Sequence, residues 1–134
     1  MTGATDVMLV NLTSHPIYLI TDDQEPIRCI FPSKLYGELR LQQHTARLTV
    51  HAGMPIYGVT TLAQPTSRSE LPPRIEGTLY IVSRLVADVL RDRDDFVFPY
   101  RLVRDSNGQV TGCSSLARFM PPESTTQAQE QETC

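Results

Sequence analysis

A chain of 134 residues and 15.0 kDa is the size of one domain, since domains typically run about 100 to 150 residues. Hydrophobic residues make up 40% and charged residues 20%, and ten prolines with seven glycines point to many turns and few long helices. The formal charge of -3 resides in residues 121–134, which carry Glu123, Glu130 and Glu132 and no Lys or Arg; residues 1–120 balance to zero, which argues against a nucleic-acid polymer as partner.

Residues 1–6 are small and polar and are expected to be frayed. Val7 to Leu12 reads as a buried first strand, and Thr13-Ser14-His15-Pro16 as a turn, because the residue before proline avoids the helical region. Ile17 to Ile20 is a short second strand. Asp22-Asp23-Gln24 is turn-like, and Ile27 to Phe31 returns as the other half of a hairpin. Tyr36 to Leu41 and Ala46 to Val50 alternate with period two, the mark of strands with one wet face. Pro55 to Thr60 supplies another strand. Residues 63–77 form a polar, proline-bearing loop of a length that is often functional.

The clearest local pattern follows. Gly77 to Val82 is a strand of mostly β-branched and apolar residues, Ser83 is a good N-cap, and Arg84 to about Arg91 forms a short helix with Leu85, Val86, Val89 and Leu90 along one face. Phe96 to Pro99 re-enters the core. Arg101 to Arg104 and Gln109 to Cys113 flank Asp105-Ser106-Asn107-Gly108, and Asn-Gly between strand-like runs is a strong hairpin signal. Leu116 to Phe119 closes the fold, and residues 121–134, rich in Glu, Gln, Thr and Ser, are expected to be a disordered acidic tail. The expected fold is therefore mainly β (α+β): a single domain over residues 7–120, built as a compact barrel- or sandwich-like antiparallel sheet of seven to nine strands with one short helix packed on it.

No apolar run approaches the ~18 residues of a membrane span, and no secretory signal is visible. Cys29, Cys113 and Cys134 are widely spaced and odd in number, which fits neither a disulfide framework nor a zinc site and suggests free thiols in a reducing compartment. No phosphate-loop, dinucleotide, zinc-protease or nucleophile-elbow motif occurs, so no cofactor, metal or catalytic residue is assigned.

Four groups of residues are candidates for ligand binding. Asn11, Thr13 and His15 alternate, so an extended chain puts all three on one face, with His15 as donor or proton shuttle; the competing reading is a side-chain-stabilised turn. Ser83 opens a helix after a strand, a place that suits an anion or simply needs a cap. Arg84, Asp88 and Arg91 share a helix face and read most simply as an ion-pair row. Arg93, oriented by Asp94 or Asp95, is placed to clamp a phosphate or to make a structural ion pair. The acidic pairs Asp22-Asp23 and Asp94-Asp95 need not point the same way, and His44 and His51 read as surface residues.

The run Val10-Asn11-Leu12-Thr13-Ser14-His15-Pro16, the block Gly77 to Ala87 followed by Arg93-Asp94-Asp95 and Pro99, and the ending Asn107 to Cys113 resemble a family of small uncharacterised proteins of bacteriophages, prophages and actinobacteria. That family has a VNLTPH-type start and a GTxYIVSxLVA block; Ser14 stands where its pattern usually has proline, and the similarity covers residues 7–119. The resemblance carries no activity, but it implies a phage setting and the cytoplasm of an infected or lysogenic host. The leading expectation is a non-enzymatic protein that binds a small anionic ligand, a nucleotide immune signal, and sequesters it as an anti-defence sponge through Asn11, Thr13, His15, Ser83, Arg84, Arg91, Arg93 and Asp95. Sequestration as a homo-oligomer, with sites shared across subunits, belongs to the same expectation. The alternatives are a virion or host-interaction adaptor, and a small nucleotide phosphodiesterase or hydrolase using His15 with Thr13 or an Asp.

Overall fold

The computed structural model describes residues 7–21 and 26–120, so the expectations for the two termini and for Asp22-Asp23 lie outside the described residues. Eight strands and one helix follow in the order β1 (Met8–Asn11), β2 (Ile17–Ile20), β3 (Pro26–Ile30), β4 (Leu39–His51), β5 (Met54–Pro65), β6 (Thr78–Ile81), α1 (Arg84–Val89), β7 (Phe96–Arg104) and β8 (Val110–Ala117). The fold is mainly β with one short helix packed on it, as expected.

Six strands form one sheet in the order β1-β6-β7-β8-β2-β3, and β4 and β5 form a separate two-stranded ribbon. Pairing in the six-stranded sheet is mixed. β1 runs parallel to β6, β6 to β7 and β2 to β8, while β7–β8 and β2–β3 are antiparallel. The run β6-α1-β7 is thus one βαβ crossover, the connection that adjacent parallel strands require. The two outer strands also meet. Asn11 bridges Pro32, the Ser33 N–H donates to the Asn11 carbonyl at 2.8 Å, and the Asn11 side chain donates to the Ile30 carbonyl at 2.9 Å. This contact curls the sheet toward a barrel. Gly112 permits the close approach of β8 to β2, since a Cβ there would lie 2.6 Å from the Tyr18 carbonyl oxygen.

Two apolar clusters fill the interior. Tyr80, Phe96, Phe98, Leu12, Val82, Val86 and Ala87 make up most of the first, and Ile17, Ile30, Ile81, Val97 and Cys113 form the second. Alternating residues of β6 and of its continuation at Val82 serve both: Tyr80 and Val82 face one cluster and Ile81 the other, as the period-two geometry of extended chain between two packed layers dictates. The helix is short because its apolar stripe is short. Val86 and Ala87 are buried, whereas Leu85 and Val89 remain exposed.

Tyr80 is 1% exposed; its ring meets Tyr36 and Phe96 edge-on and its hydroxyl donates to the Pro73 carbonyl at 2.7 Å. Burial, followed by the neighbouring Tyr36 and Asp95, pushes its pKa from 10.0 to about 12. A pKa raised in the folded state stabilises the fold fully below pH 10 and loses that contribution as pH climbs through 10 to 12. That contribution is on the order of 2–3 kcal/mol. Tyr80→Phe is therefore expected to cost about 1 kcal/mol near neutrality, for the lost hydrogen bond, and to be less sensitive than the parent between pH 10 and 12 in urea unfolding. Parallel alkaline curves for the two proteins would overturn this.

Candidate functional site

Because β1 and β6 are parallel neighbours, the segments that leave their carboxyl ends lie side by side. Leu12 donates its N–H to the Ile81 carbonyl at 2.7 Å, Val82 to Val97 at 2.8 Å, and Leu39 to Leu12 at 2.8 Å. These bonds set Leu12, Val82 and Leu39, all 3% exposed or less, as an apolar floor. Above it Thr13, His15, Ser83, Arg84 and Glu38 surround a cavity of about 290 Å³. Carboxyl ends of parallel strands are a common place for ligands in sheets of this kind.

Asn11 does not line this cavity and is 1% exposed. Its amide nitrogen donates to the carbonyls of His15 (2.8 Å) and Ile30 (2.9 Å), and its Oδ1 accepts from the Thr13 N–H (2.8 Å) and hydroxyl (2.6 Å). Every polar atom of the side chain is engaged, so Asn11 and Thr13 together build an Asx turn that holds His15 at the rim. The His15 ring is exposed, with Nδ1 3.2 Å from the Pro16 carbonyl.

Ser83 is the N-cap of α1, its hydroxyl accepting from the Val86 N–H at 3.2 Å. A helix of six residues carries little dipole beyond that cap. Arg84 has its guanidinium 5.5 Å above Phe98 and 5.6 Å above Phe119, whose rings stack at 5.0 Å. Glu38 faces it as the one carboxylate of the cavity wall, with Arg40 Nε 3.5 Å from its Oε1.

The remaining candidates are not brought to this cavity. Arg91 pairs with Asp88 on the helix and lies over the Phe119 ring, 4.7 Å from its centre. Arg93 and Asp95 form a two-bond ion pair at 2.8 Å for each contact, with side chains only 12% and 11% exposed. The same guanidinium donates to the Pro72 carbonyl at 3.0 Å and lies 4.4 Å over Phe96. Its Nε and Nη2 are engaged within the protein, and the pair clamps the 66–77 loop to the start of β7. Asp94 turns outward to Arg74 at 2.6 Å.

A second, mostly apolar groove of about 530 Å³ adjoins the first, lined by Tyr18, Leu102, Val110 and Cys113. His15, Ile17 and Pro99 belong to the walls of both. Glu38, Arg40 and the apolar groove escaped the sequence reading, because each reaches the site from strands far away in the chain and carries no local motif. Cys113 at the base of the groove is fully buried, and burial pushes its thiol up, which makes it a poor nucleophile. Cys29 and Cys113 are both unpaired thiols, and the described residues hold no cluster of three or more His, Cys, Asp or Glu that would bind a metal ion. Among the described residues no helix is long and apolar enough to cross a membrane.

No protein-family model, no curated protein and no solved structure matches this chain.

Proposed function

We propose that the chain binds a small, nucleotide-like ligand across the two adjoining cavities and holds it without turnover. In the phage setting implied by the resemblance, this would remove a nucleotide immune signal from the host. The observation that carries the reading is the shared wall of His15, Ile17 and Pro99. It joins a polar half, with Arg84 and the Thr13–His15 turn, to an apolar half floored by Leu102 and Val110 with Tyr18 at its side. A ligand with a charged group at one end and a flat ring at the other matches that division, because a guanidinium recognises a planar anion while an apolar slot takes the ring. Glu38 opposes excess negative charge, so the reading favours a ligand with one or two phosphates over a polyanion.

Calorimetric titration with a panel of cyclic and ADP-ribose-type nucleotides tests it. Binding by at least one member is expected, with Arg84→Glu weakening that binding at least ~10-fold, the worth of about one charge-assisted contact. Recovery of the ligand intact after denaturation separates holding from hydrolysis. Failure of every member to bind, or release of cleavage products, overturns the proposal. A second reading, an adaptor that docks on a protein, is favoured by one specific observation: the long exposed ribbon of β4 and β5.

A further inference from the structure

We propose that the distal end of the β4–β5 ribbon is a docking tip for an anionic lipid surface, entering its interface without crossing it. At its base the ribbon is part of the core, with Leu39 and Ala63 buried among Val86 and Ala87 of α1. Beyond that it leaves the body. From Gln42 to Thr60 every residue except Gly58 is exposed. This exposed stretch is sorted along its length. The distal residues 48–57 hold Leu48, Val50, Met54, Ile56 and Tyr57, each between 41% and 66% exposed, and no Asp, Glu, Lys or Arg. Residues 42–47 and 58–62, nearer the body, are mainly small or polar, and only Val59 and Leu62 among them are large and apolar.

The tip is apolar on both faces. Val50, paired with Pro55, shares one face with Tyr57, while Met54 and Ile56 take the other. Leu48, the extra residue of the bulge between Arg47 and Thr49, lies over Gly58 on that second face. A groove on a partner protein covers one face of a ribbon. A medium that surrounds the tip covers both, and a lipid interface is such a medium. The edges of the ribbon set the depth of entry. A two-stranded ribbon has an unpaired row of N–H and C=O groups along each edge, which hydrated headgroups satisfy and hydrocarbon does not. Entry of about 5–10 Å, the depth of other interfacial elements, takes in roughly two to three residues of each strand, from Val50 to Ile56.

Charge selects an anionic surface. Between Leu39 and Pro65 the ribbon carries Arg40, Arg47, His44 and His51 and no carboxylate. Arg40 stays at the base beside Glu38, whereas Arg47 stands directly across from Tyr57. That pair lies roughly 14–17 Å from the turn at Ala52-Gly53, at about 3.4 Å per residue. With the tip at interfacial depth, both side chains fall in the headgroup layer, where a guanidinium meets phosphate and a ring with a polar hydroxyl is favoured. The tip is separate from the ligand cavities, since no residue from 48 to 57 lines either one.

Flotation of the full chain with phosphatidylcholine vesicles, containing or lacking phosphatidylglycerol, decides the matter. The parent is expected to float with the anionic vesicles. Association is expected to be about 5-fold weaker with the neutral vesicles, or for Arg47→Gln on the anionic ones, the contribution of one basic residue at such a surface. Met54→Glu is expected to weaken it at least ~10-fold, because a charge replaces apolar surface that the interface removes from water. The chain has no Trp, so Ile56→Trp supplies an emission reporter at the tip. Its emission is expected to shift to shorter wavelength on anionic vesicles, while that of Thr45→Trp on the shaft is not. Circular dichroism of each variant confirms that the body remains folded. A parent that stays in the aqueous fraction overturns the proposal and returns the ribbon to a protein partner or a second copy. Equal flotation with both kinds of vesicle, or Met54→Glu floating like the parent, overturns it as well. Nucleotide titration of Met54→Glu is expected to match that of the parent, which separates this outcome from the ligand proposal.

Discussion

Asp95→Ala is expected to lower the unfolding free energy by about 3 kcal/mol, because it strands the Arg93 guanidinium in a site that excludes most water. In the parent that guanidinium faces both carboxylate oxygens of Asp95, the Pro72 carbonyl and the Phe96 ring. Removing the carboxylate leaves a desolvated cation with one carbonyl and one ring for company. The charge is then expected to swing toward solvent and release the 66–77 loop. The double variant Arg93→Met/Asp95→Ala is the instructive comparison. With both charges gone and the aliphatic volume partly restored, most of the loss is expected to be recovered, since a buried ion pair contributes little net stability over an apolar replacement. Urea unfolding of the two singles and the double measures the coupling; a double variant as unstable as the sum of its singles would contradict the role given to this pair. Ligand binding by Arg93→Met that matched the parent would further separate the clamp from the cavity near His15.

Asn11→Ala is expected to cost about 3 kcal/mol, for the loss of its donors to the Ile30 and His15 carbonyls and of the acceptor that fixes Thr13, each buried unpaired group costing about 1–3 kcal/mol before relaxation. The effect is not confined to stability. The bond to Ile30 helps join β1 to β3, and the bond to His15 shapes the turn at the cavity rim, so Asn11→Ala is expected to loosen both. Asn11→Asp isolates the donors. It keeps the oxygens but sets a carboxylate against two carbonyls, where only the protonated form donates. Its folded-state pKa is therefore raised, and the variant is expected to recover stability below the ordinary carboxylate range, near pH 4, and to lose it as pH rises toward 7. Chemical unfolding at the two pH values reads this directly, and an Asp variant equally stable at both would contradict the donor role.

How far the sequence discloses the structure depends on whether a feature is local. The hairpin at Asn107-Gly108 forms as read: Gly108 has φ +84°, and Asp105 Oδ1 accepts from the Asn107 and Gln109 N–H groups. The Ser83 cap and its helix are also in place. All of these depend on residues within four positions of one another. The parallel pairing of Met8 with Thr78 depends on residues 70 apart, for which no pattern within either strand carries a register. The same limit applied at the site. Asn11, Thr13 and His15 were visible as a cluster, but the question of which polar atoms face a cavity and which face each other is settled by Ile30, Ile81 and Leu39. Arg93 and Asp95 were adjacent charges in a turn; only the Pro72 carbonyl, 21 residues away, makes them a clamp. The period-two run Ala46 to Val50 announced a strand correctly, yet the single wet face it implied is replaced by exposure on both faces of the ribbon.

The separation of local from distant pairing also bears on the order in which the molecule can assemble. β1 cannot find its partner until residues 78–81 have left the ribosome, and β2, which pairs locally with β3, meets β8 only once Cys113 is made. Every pair within β4 and β5, by contrast, closes across the short Ala52-Gly53 turn. Local pairs form quickly and distant ones slowly, so the β4–β5 ribbon pairs and parts repeatedly while the body that anchors it is still an open chain. During that interval its apolar faces are exposed on every nascent copy, and neighbouring chains on one message are the first surfaces they meet.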